Sequence, residues 1–187
     1  MCGNMLNYSR EWILSTLPTP NHVLEILSSR FTTAAQQLGL RHVPRLFDVK
    51  HGSITGMHYR TLAEVIAVIT HDYISPASLM GRVIAVTVDW YWACRAPKFS
   101  PADIVALKAK CAALAAAWGA LDTPAWRATV RVADDLNLPK RCVLLTPKFH
   151  RAVSHCADYV QEWGPMEAIT TETSESLHKQ LKAFFRT

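Results

Sequence analysis

The sequence predicts an all-α fold, a bundle of about seven to nine helices packed around one hydrophobic helix. Half of the 187 residues are hydrophobic and only 19% are charged, so the chain can bury a sizeable core. Four Ser/Thr-Pro pairs have the form of helix starts, and no Asn-Gly or Asp-Gly pair marks a β-hairpin. We therefore expect one globular domain over residues 1–165, followed by a polar tail, residues 166–187, with a short amphipathic end.

Two helical stretches, residues 9–17 and 21–31, open the chain and are separated by Pro18 and Pro20. A further helix is expected from Thr32 and is interrupted at Pro44. Residues 57–73 are then predicted as an amphipathic helix, although the β-branched run at 65–69 would also suit a strand. The positions that share its apolar face are Tyr59, Leu62, Ile66, Ile69 and Tyr73.

Residues 78–95 are apolar nearly all round, and a helix of this kind must be surrounded by other helices. We expect it to be the central helix, with a buried strand as the alternative. Asp89 is the one carboxylate in this apolar stretch. It is either a functional acid or, as is more usual, a residue at the helix margin that pairs with a neighbouring cation.

The Ser/Thr-Pro pairs predict four helix N-termini, because a capping hydroxyl followed by proline suits the first turn. These pairs are Ser75-Pro76, Ser100-Pro101, Thr123-Pro124 and Thr146-Pro147. The helix from Ser100 has its apolar stripe at Ile104, Leu107, Cys111, Leu114, Trp118 and Leu121. The helix from Thr146 has its stripe at Phe149, Val153, Cys156, Val160 and Trp163, and Gly164-Pro165 ends it. A shorter helix is expected between these two, over residues 123–137.

Composition excludes several classes of function. The seven glycines form no phosphate-binding loop, so a nucleotide cofactor is not expected, and no cofactor of any other kind is indicated. The net charge of +5 is spread thinly, which favours a solvated basic face over a nucleic-acid site even at Arg41, Arg45 and Lys50. No catalytic motif is present, so we predict a protein without enzymatic activity or catalytic residues.

The five cysteines are widely spaced and odd in number, which argues against a disulfide framework and favours a reducing compartment. Cys156 is near two histidines, His150 and His155, but offsets of five and six residues do not share one face of an α-helix. We therefore expect no metal site. The longest uncharged stretch, residues 12–24, is short and contains two prolines, so no transmembrane anchor is expected.

Residues 75–95, SPASLMGRVIAVTVDWYWACR, resemble the first homology region of the Bcl-2 family of apoptosis regulators. In that family a Gly-Arg pair, here Gly81-Arg82, opens a hydrophobic central helix that follows an amphipathic one. The segment from Trp118-Gly119 through Trp126 resembles the second homology region of the same family. Leu46-Phe47-Asp48 and the segment 126–131, WRATVR, look most like small early anti-apoptotic proteins of adenoviruses, and gammaherpesviral members are also similar.

The resemblance implies a Bcl-2-like bundle with a surface groove that accepts a partner's amphipathic death-motif helix. Arg82 would pair with an aspartate of that helix, and Gly81 would let the helix approach closely. The apolar residues expected to line the groove are Leu62, Ile66, Ile69, Leu79, Met80, Val83 and Val86.

The resemblance further implies a viral anti-apoptotic protein in the host cell cytoplasm, recruited to mitochondrial or nuclear membranes through its partners. Those partners would be Bax, Bak or Bim-type death-motif helices, and the protein could also form a homodimer. Two other functions remain open from the residues alone. One is a Bcl-2-shaped scaffold or immune modulator without an open groove, and the other is a basic helical protein that binds nucleic acid.

Overall fold

The structure, a computed structural model, describes residues 20–39, 56–121, 123–124 and 147–165. These residues form five helices and no strand, which confirms the all-α prediction for this part of the chain. The helices are α1 (Pro20–Gln37), α2 (Gly56–Ile69), α3 (Leu79–Cys94), α4 (Pro101–Leu121) and α5, which consists of Pro147–His150, a π-helical turn Arg151–His155, and Cys156–Trp163. The strand alternatives for 65–69 and for the apolar part of 78–95 are therefore wrong.

Helix α3 packs against α2, α4 and α5, and its contact with α4 is the most extensive in the described structure. Helix α1 packs on α2, and α5 packs on α4. Helix α3 therefore contacts at least three of the other four described helices, but it is not enclosed on every side as the sequence predicted. Arg82, Ala85, Asp89 and Trp92 are exposed, because they lie on the one face of α3 that turns away from its neighbours.

Helix α1 is one continuous helix, whereas the sequence predicted a boundary between Phe31 and Thr32. Four residues spaced four apart are buried along it and face α2: Val23, Leu27, Phe31 and Ala35. The continuous stripe explains why no break occurs at Thr32. The helix ends at Gln37, and Gly39 follows with a φ of +84°, a left-handed conformation that favours glycine.

Two of the four predicted helix starts are confirmed. Helix α4 begins at Pro101, where Ser100 and Asp103 cap each other: the Asp103 amide donates to Ser100 Oγ (3.2 Å) and the Ser100 amide to Asp103 Oδ2 (2.8 Å). Helix α5 begins at Pro147. The start predicted at Ser75 is wrong by three residues, because Ser78 is the N-cap of α3.

Helix α4 buries the predicted stripe of Leu107, Cys111, Leu114, Trp118 and Leu121. Its other face, which includes Val105, is exposed. Among the described residues, α4 is long and apolar enough to cross a membrane, a test that core helices of soluble proteins also pass. Helix α5 ends as predicted at Gly164, but Trp163 is 63% exposed and does not continue the buried stripe.

The expected helices at 9–17 and beyond Pro124 and the tail at 166–187 lie outside the described residues. The same holds for the motif residues 46–48 and 126–131.

Candidate functional site

A short hydrogen-bonded turn places Gly81 and Arg82 at the start of α3. After α2 ends at Ile69, the Ser75 carbonyl accepts from both the amide (2.9 Å) and the hydroxyl (2.6 Å) of Ser78. The Ser78 hydroxyl oxygen then accepts from the Gly81 amide (3.0 Å), which caps the first turn. This turn therefore fixes the start of α3, and with it the position of Arg82 in the first turn of the helix.

Gly81 is needed for a close approach, but the approaching segment belongs to this chain. A Cβ atom at position 81 would lie 2.2 Å from the Ser75 carbonyl oxygen and 2.8 Å from Pro76 Cα. The sequence interpretation assigned this space to a partner helix. In the structure the turn before α3 fills it, so Gly81 acts by holding that turn against the helix.

Arg82 is exposed, and within the described residues no carboxylate pairs with it. Leu79 and Val86 are half-buried and lie three residues before and four after it, so they share its face of α3. We call Leu79, Arg82 and Val86 the outer stripe of α3. Farther along the same face, Asp89 is exposed and pairs with Lys110 of α4, which agrees with the paired interpretation of this carboxylate.

The other five apolar residues predicted to line a groove are in the core. Each is 3% exposed or less: Leu62, Ile66, Ile69, Met80 and Val83. They belong to the hydrophobic core and pack against the chain itself. A bound helix could contact them only if helices of the core moved apart. The surface that a ligand can reach without such a movement is the outer stripe.

An ion pair that the sequence did not indicate holds the end of α2 against α1. Arg30 donates to Asp72 Oδ2 (2.6 Å) and to the carbonyl of Ile69 (3.1 Å), and its guanidinium lies over the Tyr73 ring. The hydrogen bond from Arg30 holds the pKa of Asp72 below its ordinary value, and the charge of His71 contributes further. This contact ties α1 to the turn that leads into α3.

A surface cavity of about 540 Å³ lies at the opposite end of α3, between the start of α4 and the end of α5. Phe99, Ile104 and Val160 give it apolar walls, and Lys108 at its side pairs with Asp158 (3.1 Å). Arg82 is 17 residues before Phe99 in the chain, and α3 alone separates the two ends by roughly 20 Å. The cavity is therefore not part of the surface around Arg82, and no sequence motif pointed to it.

Three buried free thiols meet where α3, α4 and α5 pack together. The sulfur atoms of Cys94 and Cys156 are 3.3 Å apart, and the Cys111 thiol lies 3.5 Å from the carbonyl oxygen of Ala152. The neighbouring Cys156 thiol and burial raise the pKa of Cys111 well above its ordinary value. A buried thiol whose pKa is raised in this way is structural rather than reactive.

The two histidines of α5, His150 and His155, lie close together, contrary to the sequence prediction. An offset of five residues was expected to place His150 and His155 on different faces, which holds for an α-helix. The π-helical turn between them is wider, and the two Nε2 atoms are 3.1 Å apart. Cys156, by contrast, is buried in the core and does not join them. The described residues contain no group of three or more side chains placed to hold a metal ion.

Comparison of the chain with protein-family models, with curated proteins and with solved structures finds no match.

Proposed function

We propose that this chain is a viral anti-apoptotic protein with a Bcl-2-like bundle, which sequesters amphipathic death-motif helices of pro-apoptotic relatives. The observation that carries the proposal is Arg82. It is exposed at the first turn of the central helix, lacks a carboxylate partner among the described residues, and is flanked by half-buried Leu79 and Val86. A cation between two partly covered apolar side chains suits a ligand helix with an acidic residue beside its apolar face.

In the proposed complex the ligand helix lies along the outer stripe of α3. A carboxylate of the ligand pairs in bidentate fashion with the Arg82 guanidinium, and its apolar residues cover Leu79 and Val86. Deeper insertion would separate α2 from α3 and uncover residues such as Met80 and Val83. That step breaks core packing, and its free energy cost sets the fraction of molecules that are open. The apparent affinity is lower than the intrinsic affinity by that fraction.

The mechanism is competitive sequestration without turnover. Ligands of this chemistry are the death-motif helices of Bax, Bak and Bim, and their capture in the host cytoplasm or at mitochondrial or nuclear membranes would block mitochondrial permeabilisation. The contacts proposed here involve neither a cofactor nor a metal.

The test is a titration of the purified full chain with fluorescent death-motif peptides. Arg82→Ala should weaken binding about 30-fold or more, since truncating a central anchor costs about 2 kcal/mol. Arg82→Lys should recover only part of this loss, because an ammonium group cannot form the bidentate pair. The matched control is Arg151→Ala, which removes the same charge from an exposed position on α5 and should leave the affinity unchanged.

A charge exchange sharpens this test. Arg82→Glu should abolish binding of the natural peptide and restore binding of a peptide whose acidic residue is replaced by lysine. Equal affinity of the parent and Arg82→Ala would contradict the role of Arg82.

A second candidate is a Bcl-2-shaped scaffold with no open groove, and the burial of five of the predicted groove residues in the core favours it. That candidate predicts a folded protein that binds none of the peptides. A nucleic-acid duplex in the same series, at two salt concentrations, tests the basic-protein alternative, whose affinity would fall steeply with salt.

A further inference from the structure

The histidine pair of α5 is a second site, separate from the α3 surface. His150 and His155 share a hydrogen bond between their Nε2 atoms, which are 3.1 Å apart, and their rings are nearly perpendicular, at an interplanar angle of 81°. His150 is exposed and His155 is half-buried, so the pair lies at the surface of α5.

The backbone between the histidines creates this arrangement. In an α-helix, residues five apart point about 140° from each other around the axis. The turn Arg151–His155 is π-helical and has more residues per turn, which brings the fifth residue back close to the first. The pairing is thus produced by an irregular turn, and such turns in α-helices are frequent at functional sites.

The separation of the nitrogen atoms matches the coordination sphere of a transition metal. A Zn–N bond is about 2.0–2.1 Å long, so two nitrogen ligands at a tetrahedral angle are about 3.3–3.4 Å apart. The observed 3.1 Å needs only a small rotation of either imidazole to reach that value. A square-planar cation such as Cu²⁺ needs an N–N distance of about 2.8–2.9 Å, also close to the one found.

A neighbouring hydroxyl is compatible with the tautomer that a metal would require. Ser154 Oγ lies 3.3 Å from Nδ1 of His150 and can accept the Nδ1 hydrogen. The lone pair of His150 is then on Nε2, the atom that faces His155. Hydrogen bonds of this kind orient the histidine ligands of metal sites.

We propose that His150 and His155 form a two-histidine site for a divalent transition metal of the Zn²⁺, Cu²⁺ or Ni²⁺ class. Imidazole nitrogen suits these ions, whereas Mg²⁺ and Ca²⁺ require oxygen ligands. No third protein ligand is in place among the described residues, so water completes the coordination sphere. This inference does not depend on the proposed function at α3.

The experiment is a calorimetric titration of the full chain with Zn²⁺, in reducing buffer without chelators. The double variant His150→Ala/His155→Ala defines the background from other histidines and cysteines. Relative to the parent, each single variant should lose roughly 100-fold in affinity at this site, because one imidazole alone lacks the second, preoriented bond. Both residues are at the surface, and circular dichroism checks that each variant keeps its helices.

Three controls separate this site from general histidine binding. His22→Ala and His71→Ala remove single exposed histidines elsewhere and should leave the affinity unchanged. Ser154→Ala should weaken binding by about tenfold through loss of the hydrogen bond to Nδ1. Mg²⁺ at the same concentrations should give no heat.

Cu²⁺ gives a direct readout of the ligands. The electron paramagnetic resonance spectrum of the one-to-one complex should show coupling to two imidazole nitrogens in the parent and to one in either single variant. Equal Zn²⁺ affinity of the parent and the double variant, or a copper spectrum unchanged by the variants, would overturn the proposal.

Discussion

The indole nitrogen of Trp118 donates a hydrogen bond to the hydroxyl oxygen of Thr87, 3.1 Å away, across the interface of α4 and α3. The Thr87 hydroxyl in turn donates to the carbonyl of Val83 (2.7 Å). Both side chains are buried, and the Trp118 ring also meets the edge of Phe149 from α5. One polar contact therefore satisfies the only polar atom of a fully buried indole where three helices meet.

Thr87→Val should destabilise the fold by about 1–3 kcal/mol, because it removes the buried hydroxyl that accepts the hydrogen bond from the Trp118 N–H. The matched control is Thr70→Val. The Thr70 hydroxyl also donates to the carbonyl four residues earlier (2.6 Å) and is buried, but no indole from the described residues donates to it. Urea denaturation should show the larger loss for Thr87→Val. Equal losses would mean that the indole contact contributes nothing.

Gly81→Ala should destabilise the fold by about 1–3 kcal/mol, the usual range for overpacking. The new methyl group would collide with backbone atoms of Ser75 and Pro76, which cannot yield by a simple side-chain rotation. Gly119→Ala is the control: this glycine is exposed within α4, so alanine should stabilise the helix by up to about 1 kcal/mol. Thermal unfolding should give shifts of opposite sign, and a neutral Gly81→Ala would contradict the close approach.

Asp103 should make part of the stability depend on acid pH. Hydrogen bonds from the backbone and side chain of Ser100 hold the pKa of Asp103 below its ordinary value of 3.8. Because the folded-state pKa is lowered, its contribution is present above about pH 4 and is lost as pH falls through the lowered pKa. The stability difference between the parent and Asp103→Asn should be constant from pH 7 to 4 and shrink below that. A difference that does not change with pH would rule out the charged cap.

Cys111 should make stability fall in alkali. The folded-state pKa of this thiol is raised above its ordinary value of 9.0, so only the unfolded chain loses the proton above that pH. Above that pH, this group lowers the free energy of unfolding by about 1.4 kcal/mol per pH unit. Urea titrations under reducing conditions from pH 7.5 to 10 should show a shallower alkaline decline for Cys111→Ala than for the parent. Parallel declines would show that Cys111 does not remain neutral.

Much of the described fold could be predicted from side-chain periodicity. The stripe of Leu107, Cys111 and Trp118 faces the core as expected, because a three-and-four spacing on a long helix leaves one face to bury. Capping at Ser100 was predictable because a hydroxyl, a proline and an acidic residue stand in the right order. The start of α3 was not, since Ser75 and Ser78 are both competent caps and only the folded turn selects between them.

The site residues were less predictable than the helices that hold them. The pattern of α2 and α3 marks Ile66 and Val83 as apolar but does not say whether they line a groove or fill the core; the structure places them in the core. The π-helical turn in α5 carries no recognisable sequence signal, so the meeting of His150 and His155 could be found only in coordinates. The contact of Arg30 with Asp72 joins residues 42 apart, and such long-range pairs have no local pattern.

The packing order of the helices implies unequal local opening. Among the described helices, α3 is held by α4 and α5 as well as by α2, whereas α1 packs on α2, and α2 packs on α1 and α3. Amide protons of α1 and α2 should therefore exchange with solvent deuterium through smaller fluctuations than those of α3 and α4. The hinge for such a fluctuation would be the turn from Ile69 to Ser78, so the chain could swing two helices aside while the rest of the bundle stays closed.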